Sequence, residues 1–324
     1  MIVDLPNTTT SNVSKRIQSL RAQGGVIALG RVLTLVVITK SGLEEEAIEA
    51  ANEASREHPC RIIVLAAGSP EEPTRLDAQI RVGGDAGASE VIVLRGFGEL
   101  AEESESLVAA LLLPDAPIVA WWPNGAPENA SETSIGRIAH RRITDSANEI
   151  DPQRALENIR DTYRAGDTDF AWTRLTNWRI KLAAVLDQAG SSPVTAVAVE
   201  GASDSPSTIL LGAWLRQALE VPVTIVPGPV GTGIRGVQLT LTSGEIRLLR
   251  PGLSVAELTQ PGQPAQRISL PRRSLRDCLA EELRRLDPDE VFGDTVRSLA
   301  TSKMHQVSLH EQGILDLEAF GVPA

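Results

Sequence analysis

Two stretches of the 324-residue chain gather side chains that could recognise another molecule. The first is Trp121-Trp122-Pro123-Asn124-Gly125, at the end of an apolar run that starts at Pro117. The second is Arg141-Arg142-Ile143-Thr144-Asp145, followed by Asp167, Asp169, Trp172 and Arg174. A guanidinium fork matches the paired oxygens of a carboxylate or a phosphate. Trp is enriched where one protein anchors on another. Trp121, Trp122, Arg141, Arg142, Asp145, Asp169, Trp172 and Arg174 are therefore candidate residues for a protein partner or a small anion. Each type also has a plainer reading. Trp121 and Trp122 could pack beneath flanking helices, and Arg141 and Arg142 could pair with Asp145, Asp167 or Asp169 nearby.

Other chemistry finds no complete set. Gly231-Thr232-Gly233-Ile234-Arg235-Gly236 has the GxGxxG spacing, but a β-like segment follows where a dinucleotide site needs a helix. Gly83-Gly84-Asp85-Ala86-Gly87 precedes a strand, the wrong order for a phosphate loop. His58, His140, His305 and His310 form no zinc spacing, since His305 and His310 lie on different helical faces. Cys60 and Cys278 stand alone and read as buried small hydrophobes. No nucleophile, base and orienter can be assembled, and no cofactor or metal is expected.

The elements that position these residues follow from periodicity. Runs at 32–39, 60–66, 90–95 and 117–122 are nearly all apolar, as in strands covered on both faces. Amphipathic helices alternate with them. Ser41 and Glu44 predict a capping box for the first, and 100–113 predicts another. Asp151-Pro152 predicts a helix start, and 169–189 predicts one long helix. Residues 1–24 read as a loose lead-in with a short amphipathic stretch over 13–20. Past Gly190-Ser191-Ser192-Pro193 the pattern changes. A strand at 194–199, a helix at 204–219 and a strand at 221–226 make a βαβ unit. Short runs at 236–241, 244–250, 255–259 and 265–270 predict an antiparallel meander. Helices after Ser274 and Asp287 close the fold.

The fold class predicted is α/β: an N-terminal open, mostly parallel α/β sheet domain over 1–190 that ends in two long helices, and a smaller C-terminal α+β domain over 191–302. The tail, 303–324, is expected to be loosely docked. A length of 324 residues suits two domains. With 31 Lys and Arg against 42 Asp and Glu, the net charge is −11. That excludes a general nucleic-acid binder, whose affinity rests on cations. No apolar run is long enough to span a membrane. No secretory leader is apparent, so a cytoplasmic location is expected.

Taken together, several segments resemble the glucose-6-phosphate dehydrogenase assembly protein family, OpcA. They are Gly30–Val37, His58–Arg61, Gln79–Glu90, Leu112–Pro123, Arg141–Ser146, Gly166–Thr176, Gly244–Arg247, Leu270–Leu275 and Leu279–Asp287. The resemblance implies a non-catalytic assembly factor or allosteric activator of glucose-6-phosphate dehydrogenase, at the entry to the oxidative pentose phosphate pathway. It implies that dehydrogenase as partner, with neither nucleic acid nor membrane bound, and no enzymatic activity. A phosphosugar effector is the further partner considered. The alternative is a phosphosugar- or nucleotide-binding sensor or enzyme built on the α/β domain. Some members carry a cysteine-based redox switch, which Cys60 and Cys278 do not map.

Overall fold

The computed structural model describes residues 1–24, 32–82, 90–188 and 192–299. The glycine run at 83–87, the expected boundary at Gly190, and the tail with His305 and His310 fall outside them. The chain divides into two compact units. Unit 1 comprises Met1–Arg174 and Arg273–Asp294, and unit 2 comprises Leu175–Arg272 with the segment from Thr295.

Unit 1 is built on an eight-stranded sheet. Its centre is β2 (Leu33–Lys40), β3 (Cys60–Ala67) and β5 (Glu90–Phe97), joined in parallel. Parallel β6 (Ile118–Trp121), β7 (Arg141–Thr144) and β8 (Asp167–Asp169) extend it past β2. The parallel order is thus β5-β3-β2-β6-β7-β8. Alternation along each strand feeds two apolar cores. Leu35, Val37, Ile62, Val64 and Trp121 face one, and Val36, Ile63, Ala120 and Trp122 face the other. The near-continuous apolar runs have this double burial as their cause.

Two antiparallel strands complete the far edge: β1 (Ile2–Leu5) pairs with β4 (Arg75–Arg81), and β4 with β5. The sequence reading had neither. Helix α1 (Thr10–Gly24) takes in the expected amphipathic stretch over 13–20 and extends it through most of what was expected to be a loose lead-in. Val13, Ile17 and Leu20 form a stripe that is buried against Val36, Ile63 and Ile92. Helix α2 (Glu44–Ala54) begins without the expected box, since its N-cap residue is Leu43, which offers no side-chain hydrogen bond. The helix expected over 100–113 breaks up. Short 3₁₀ turns at Gly98–Ala101 and Ala109–Leu111 flank a single α-turn, α3 (Glu105–Val108), which Ser104 caps by accepting from Ser106 N at 3.3 Å. A serine that bonds its own backbone competes with helix continuation. After α4 (Ser134–Ile138), α5 (Pro152–Thr162) starts as expected, with Asp151 accepting from Arg154 N at 3.0 Å.

The long helix expected over 169–189 is instead β8, a four-residue α6 (Phe170–Thr173), and α7 (Thr176–Gln188) in unit 2. Unit 2 otherwise follows the expected pattern. Its sheet has the order β10-β9-β11-β12-β13-β14. Strands β9 (Val194–Ala202) and β10 (Val223–Gly228) are parallel and joined through α8 (Pro206–Leu219). Strands β11 (Ile234–Leu241), β12 (Gly244–Leu249), β13 (Val255–Thr259) and β14 (Gln266–Ser269) form the antiparallel meander.

Helix α9 (Leu275–Arg284) starts with the expected box between Ser274 and Asp277. It belongs to unit 1, because Cys278, Leu279 and Leu283 enter the same core as Cys60 and Ile62. The two units part at 174/175 and 272/273. Helix α10 (Glu290–Ser298) follows, with Asp289 accepting from Phe292 N at 3.0 Å.

Candidate functional site

In an open α/β sheet the connections run to opposite faces on either side of one point, and a crevice opens there at the carboxyl ends of the strands. In unit 1 that point lies between β2 and β6. A cavity of about 340 Å³ occupies it, lined by Leu43, Glu46, Pro123, Asn124, Asp145, Asn148 and Arg174 among others. Thr39 at the end of β2 reaches Asn124 just past β6, Oγ1 to Oδ1 at 3.3 Å. The Trp-Trp-Pro-Asn segment thus ends at this crevice.

The crevice floor is an ion pair. Arg174 Nη1 and Nη2 donate to the two oxygens of Asp145, each at 2.6 Å. Asp145 is buried. Behind it lies Asp169, fully buried at the end of β8. Its carboxylate accepts from Thr144 Oγ1 at 2.7 Å and from Ser146 N, Ser146 Oγ and Ala171 N at 2.8 Å each. Burial first, and then the Asp145 charge, push the Asp169 pKa up to about 6, against the hydrogen bonds that favour its charged form. Asp169 therefore ties β7, β8 and α6 together from inside.

The remaining candidates are interior as well. Arg141 Nε donates to Glu282 Oε2 at 2.8 Å and its Nη1 to Asp287 O at 2.9 Å. Arg142 pairs with Asp167, and it donates to Ala139 O at 2.9 Å and Ala165 O at 2.6 Å. Burial raises the Asp167 pKa, with Arg142 opposing. A side chain at Gly166 would meet His140 O at 2.6 Å and Arg142 Nη2 at 3.0 Å, so the close approach and the φ of +95° there need glycine. Trp121 stacks near Phe170, ring centroids 5.7 Å apart. Trp122 Nε1 donates to Glu103 Oε2 at 3.1 Å, and Trp172 Nε1 to Asp289 Oδ2 at 2.8 Å. Trp121, Trp122, Arg141, Arg142, Asp145, Asp169 and Trp172 are all less than a tenth exposed.

Of the two readings of these residues, internal packing and pairing is the one the structure carries. Their burial leaves little of these side chains on the surface for a partner to meet directly. Arg174, which lines the crevice together with Asp145, is the more exposed of the pair, its side chain 28% exposed. Sequence reasoning missed Glu282, which closes on Arg141 and on Thr173 Oγ1 at 2.5 Å. It also missed Glu46, Asn124 and Asn148, which line the crevice.

A doubly wound sheet commonly holds a dinucleotide, with its pyrophosphate at the first helix of the sheet. Here that turn is Ser41-Gly42-Leu43, leading into α2, whose first turn carries Glu44, Glu45 and Glu46. Glu44 Oε2 accepts from Gly42 N at 2.5 Å, and Arg95 holds its other oxygen at 3.0 and 2.8 Å. A carboxylate of the chain itself thus sits where a phosphate would need to approach. These residues do not fit a dinucleotide pyrophosphate. The Gly231–Gly236 segment leads into β11, as the sequence reading expected, and opens no helix.

Among the described residues, no group of His, Cys, Asp and Glu is placed to hold a metal ion, and no helix is long and apolar enough to cross a membrane. Cys60 and Cys278 are not disulfide-bonded and are buried in one apolar core. Burial pushes the Cys278 pKa up to about 12, which keeps it a thiol.

The strand order and the crevice at its switch point define a doubly wound α/β protein. Residues 51–161 match the family described as the glucose-6-phosphate dehydrogenase subunit N-terminal domain, and residues 165–296 match the one described as its C-terminal domain. The chain belongs to this glucose-6-phosphate dehydrogenase assembly family, OpcA, as its segments implied. The comparison with curated proteins gave no match.

Among solved structures, the chain is similar to KijD10, a 3-ketoreductase from Actinomadura kijaniata in complex with NADP and TDP-benzene, at 10% identity and a TM-score of 0.46, covering 83% of this chain and 94% of that one. It is also similar to the UDP-N-acetylglucosamine 3-dehydrogenase GnnA from Acidithiobacillus ferrooxidans, at 11% identity, a TM-score of 0.36, and coverage of 83% and 96%. An oxidoreductase from Pseudomonas syringae matches at 10% identity and a TM-score of 0.41, covering 86% and 92%. The expectation of no enzymatic activity is not upheld beside these neighbours, which are by name a 3-ketoreductase, a dehydrogenase and an oxidoreductase. At such low similarity they assign this chain no reaction.

Proposed function

We propose that the protein docks on glucose-6-phosphate dehydrogenase and favours its active oligomer. The observation that carries this reading is the family match, which runs through residues 51–161 and 165–296 and so reaches both compact units. A bound protein activates another only by binding the active state more tightly than the inactive one. A difference of about 1–3 kcal/mol corresponds to a shift of about 5–150-fold.

The docking surface in this reading is the rim of the unit 1 crevice. Leu43 is 52% exposed there, beside the acidic Glu46. An apolar contact rimmed by carboxylates suits a basic, partly apolar surface on the dehydrogenase. The buried candidates serve this surface from beneath, with Asp145 fixing Arg174 and Asp169 fixing the strand ends. The partner sets the setting: the cytoplasm, at the first step of the oxidative pentose phosphate pathway.

The test is an assay of the cognate dehydrogenase at varied glucose 6-phosphate, with and without the full chain, alongside co-elution on size exclusion. Activation with co-elution is expected, and Glu46→Lys is expected to weaken both by about tenfold or more. Unchanged kinetics together with separate elution overturn the reading.

A further inference from the structure

Unit 2 holds a buried cation that the docking reading does not use. Arg250, just past β12, is 6% exposed. Its Nη1 donates to Leu270 O at 3.2 Å and its Nη2 to Ile234 O at 3.1 Å. Its guanidinium carbon lies 5.1 Å from the centre of the Trp178 ring. Nε is buried and donates to nothing. Every partner is thus neutral, and no carboxylate among the described residues pairs with it. A buried guanidinium is costly without a counter-charge. The chain has 42 Asp and Glu from which one could have been supplied.

A second guanidinium shares the turn. Arg272, which is exposed, donates from Nη2 to Thr232 O, two residues from the carbonyl that Arg250 holds. The turn between them is open. Gly231 and Gly233 have φ of +76° and +65°. A methyl group at Gly231 would meet nothing within 4 Å, and one at Gly233 would meet only Arg272 Nη2 at 3.9 Å. Two cations converge on a glycine turn whose backbone a ligand could approach closely. An arginine that only tied β11 to the segment at Leu270 would need no second cation beside it.

We propose that Arg250 and Arg272, gathered on the Gly231–Gly233 turn, bind a small oxyanion of the phosphate-monoester class. Two guanidiniums match a dianion with several acceptor oxygens better than they match a single carboxylate. The electrostatics agree: burial, and then the Arg272 charge, lower the Arg250 pKa to about 10. An anion between the two would relieve that repulsion. The earlier candidates for an anion, Arg141 and Arg142, are already spent on Glu282 and Asp167.

The experiment titrates the full chain, without any dehydrogenase, with inorganic phosphate by calorimetry at constant ionic strength in chloride. Saturable binding of one phosphate per chain is expected. Arg272→Gln is expected to weaken it by at least about tenfold while leaving the melting temperature in chloride unchanged. Phosphate should also raise the melting temperature of the parent protein and not that of the variant. Absence of saturable binding overturns the proposal, as does equal binding by Arg272→Gln. Arg250→Gln is expected to lose binding. Should that variant fail to fold, the Arg272→Gln titration decides alone.

Discussion

Arg142 places its guanidinium inside the chain, on Asp167 and on the carbonyls of Gly136, Ala139 and Ala165. Removing one member of such a buried pair strands the other, at a cost of about 3 kcal/mol or more. Arg142→Ala is therefore expected to lower the melting temperature by at least about 6 °C in a unit of this size. Adding Asp167→Asn should restore part of the loss, since the stranded charge is then gone. A melting curve unchanged by Arg142→Ala would show that the pair is not buried in solution. Residue types alone did not distinguish this role from recognition of an outside anion. The acid that decides it for Arg142, Asp167, was in view. Glu282 was not, because it reaches Arg141 only after the chain has built unit 2 and returned.

Elements carried by strong periodicity were legible. The apolar runs at β2, β3, β5 and β6 and the meander of unit 2 could be read from the chain because double burial and hairpin turns leave plain patterns. Elements resting on few apolar residues were not. Strand β4, Arg75–Arg81, hides its inward Leu76, Ala78 and Ile80 among charged neighbours. Helix α1 looked polar because only Val13, Ile17 and Leu20 face inward. The crevice was half legible: the Trp-Trp-Pro-Asn segment was singled out at the end of an apolar run, whereas Glu46 and Asn148 needed the strand order to join it. Ile17 lies at the middle of the α1 stripe, 3% exposed. Ile17→Ala is expected to cost about 2–5 kcal/mol, read as a shift in the urea midpoint. A shift under about 0.5 kcal/mol, as at a surface position, would mean that α1 is not packed on the sheet in solution.

At the scale of the whole molecule, a net charge of −11 sets a field that acts before contact. Encounter with a basic face is steered by that field and screened by salt. The association rate with the dehydrogenase, followed by stopped flow, is expected to fall about tenfold or more between about 0.05 M and about 0.5 M salt. A rate indifferent to salt would leave the acidic rim without a part in docking. The division of the chain has a consequence for synthesis. Unit 1 is begun by residues 1–174 but finished only by 273–294. During translation at about 5–20 residues per second, the ribosome spends on the order of ten seconds making the intervening segment. Throughout that interval Cys60, Ile62 and the inner face of α2 await Cys278, Leu279 and Leu283. A nascent chain left half-clad for so long invites holding chaperones, and a stop codon anywhere before α9 would release it that way for good.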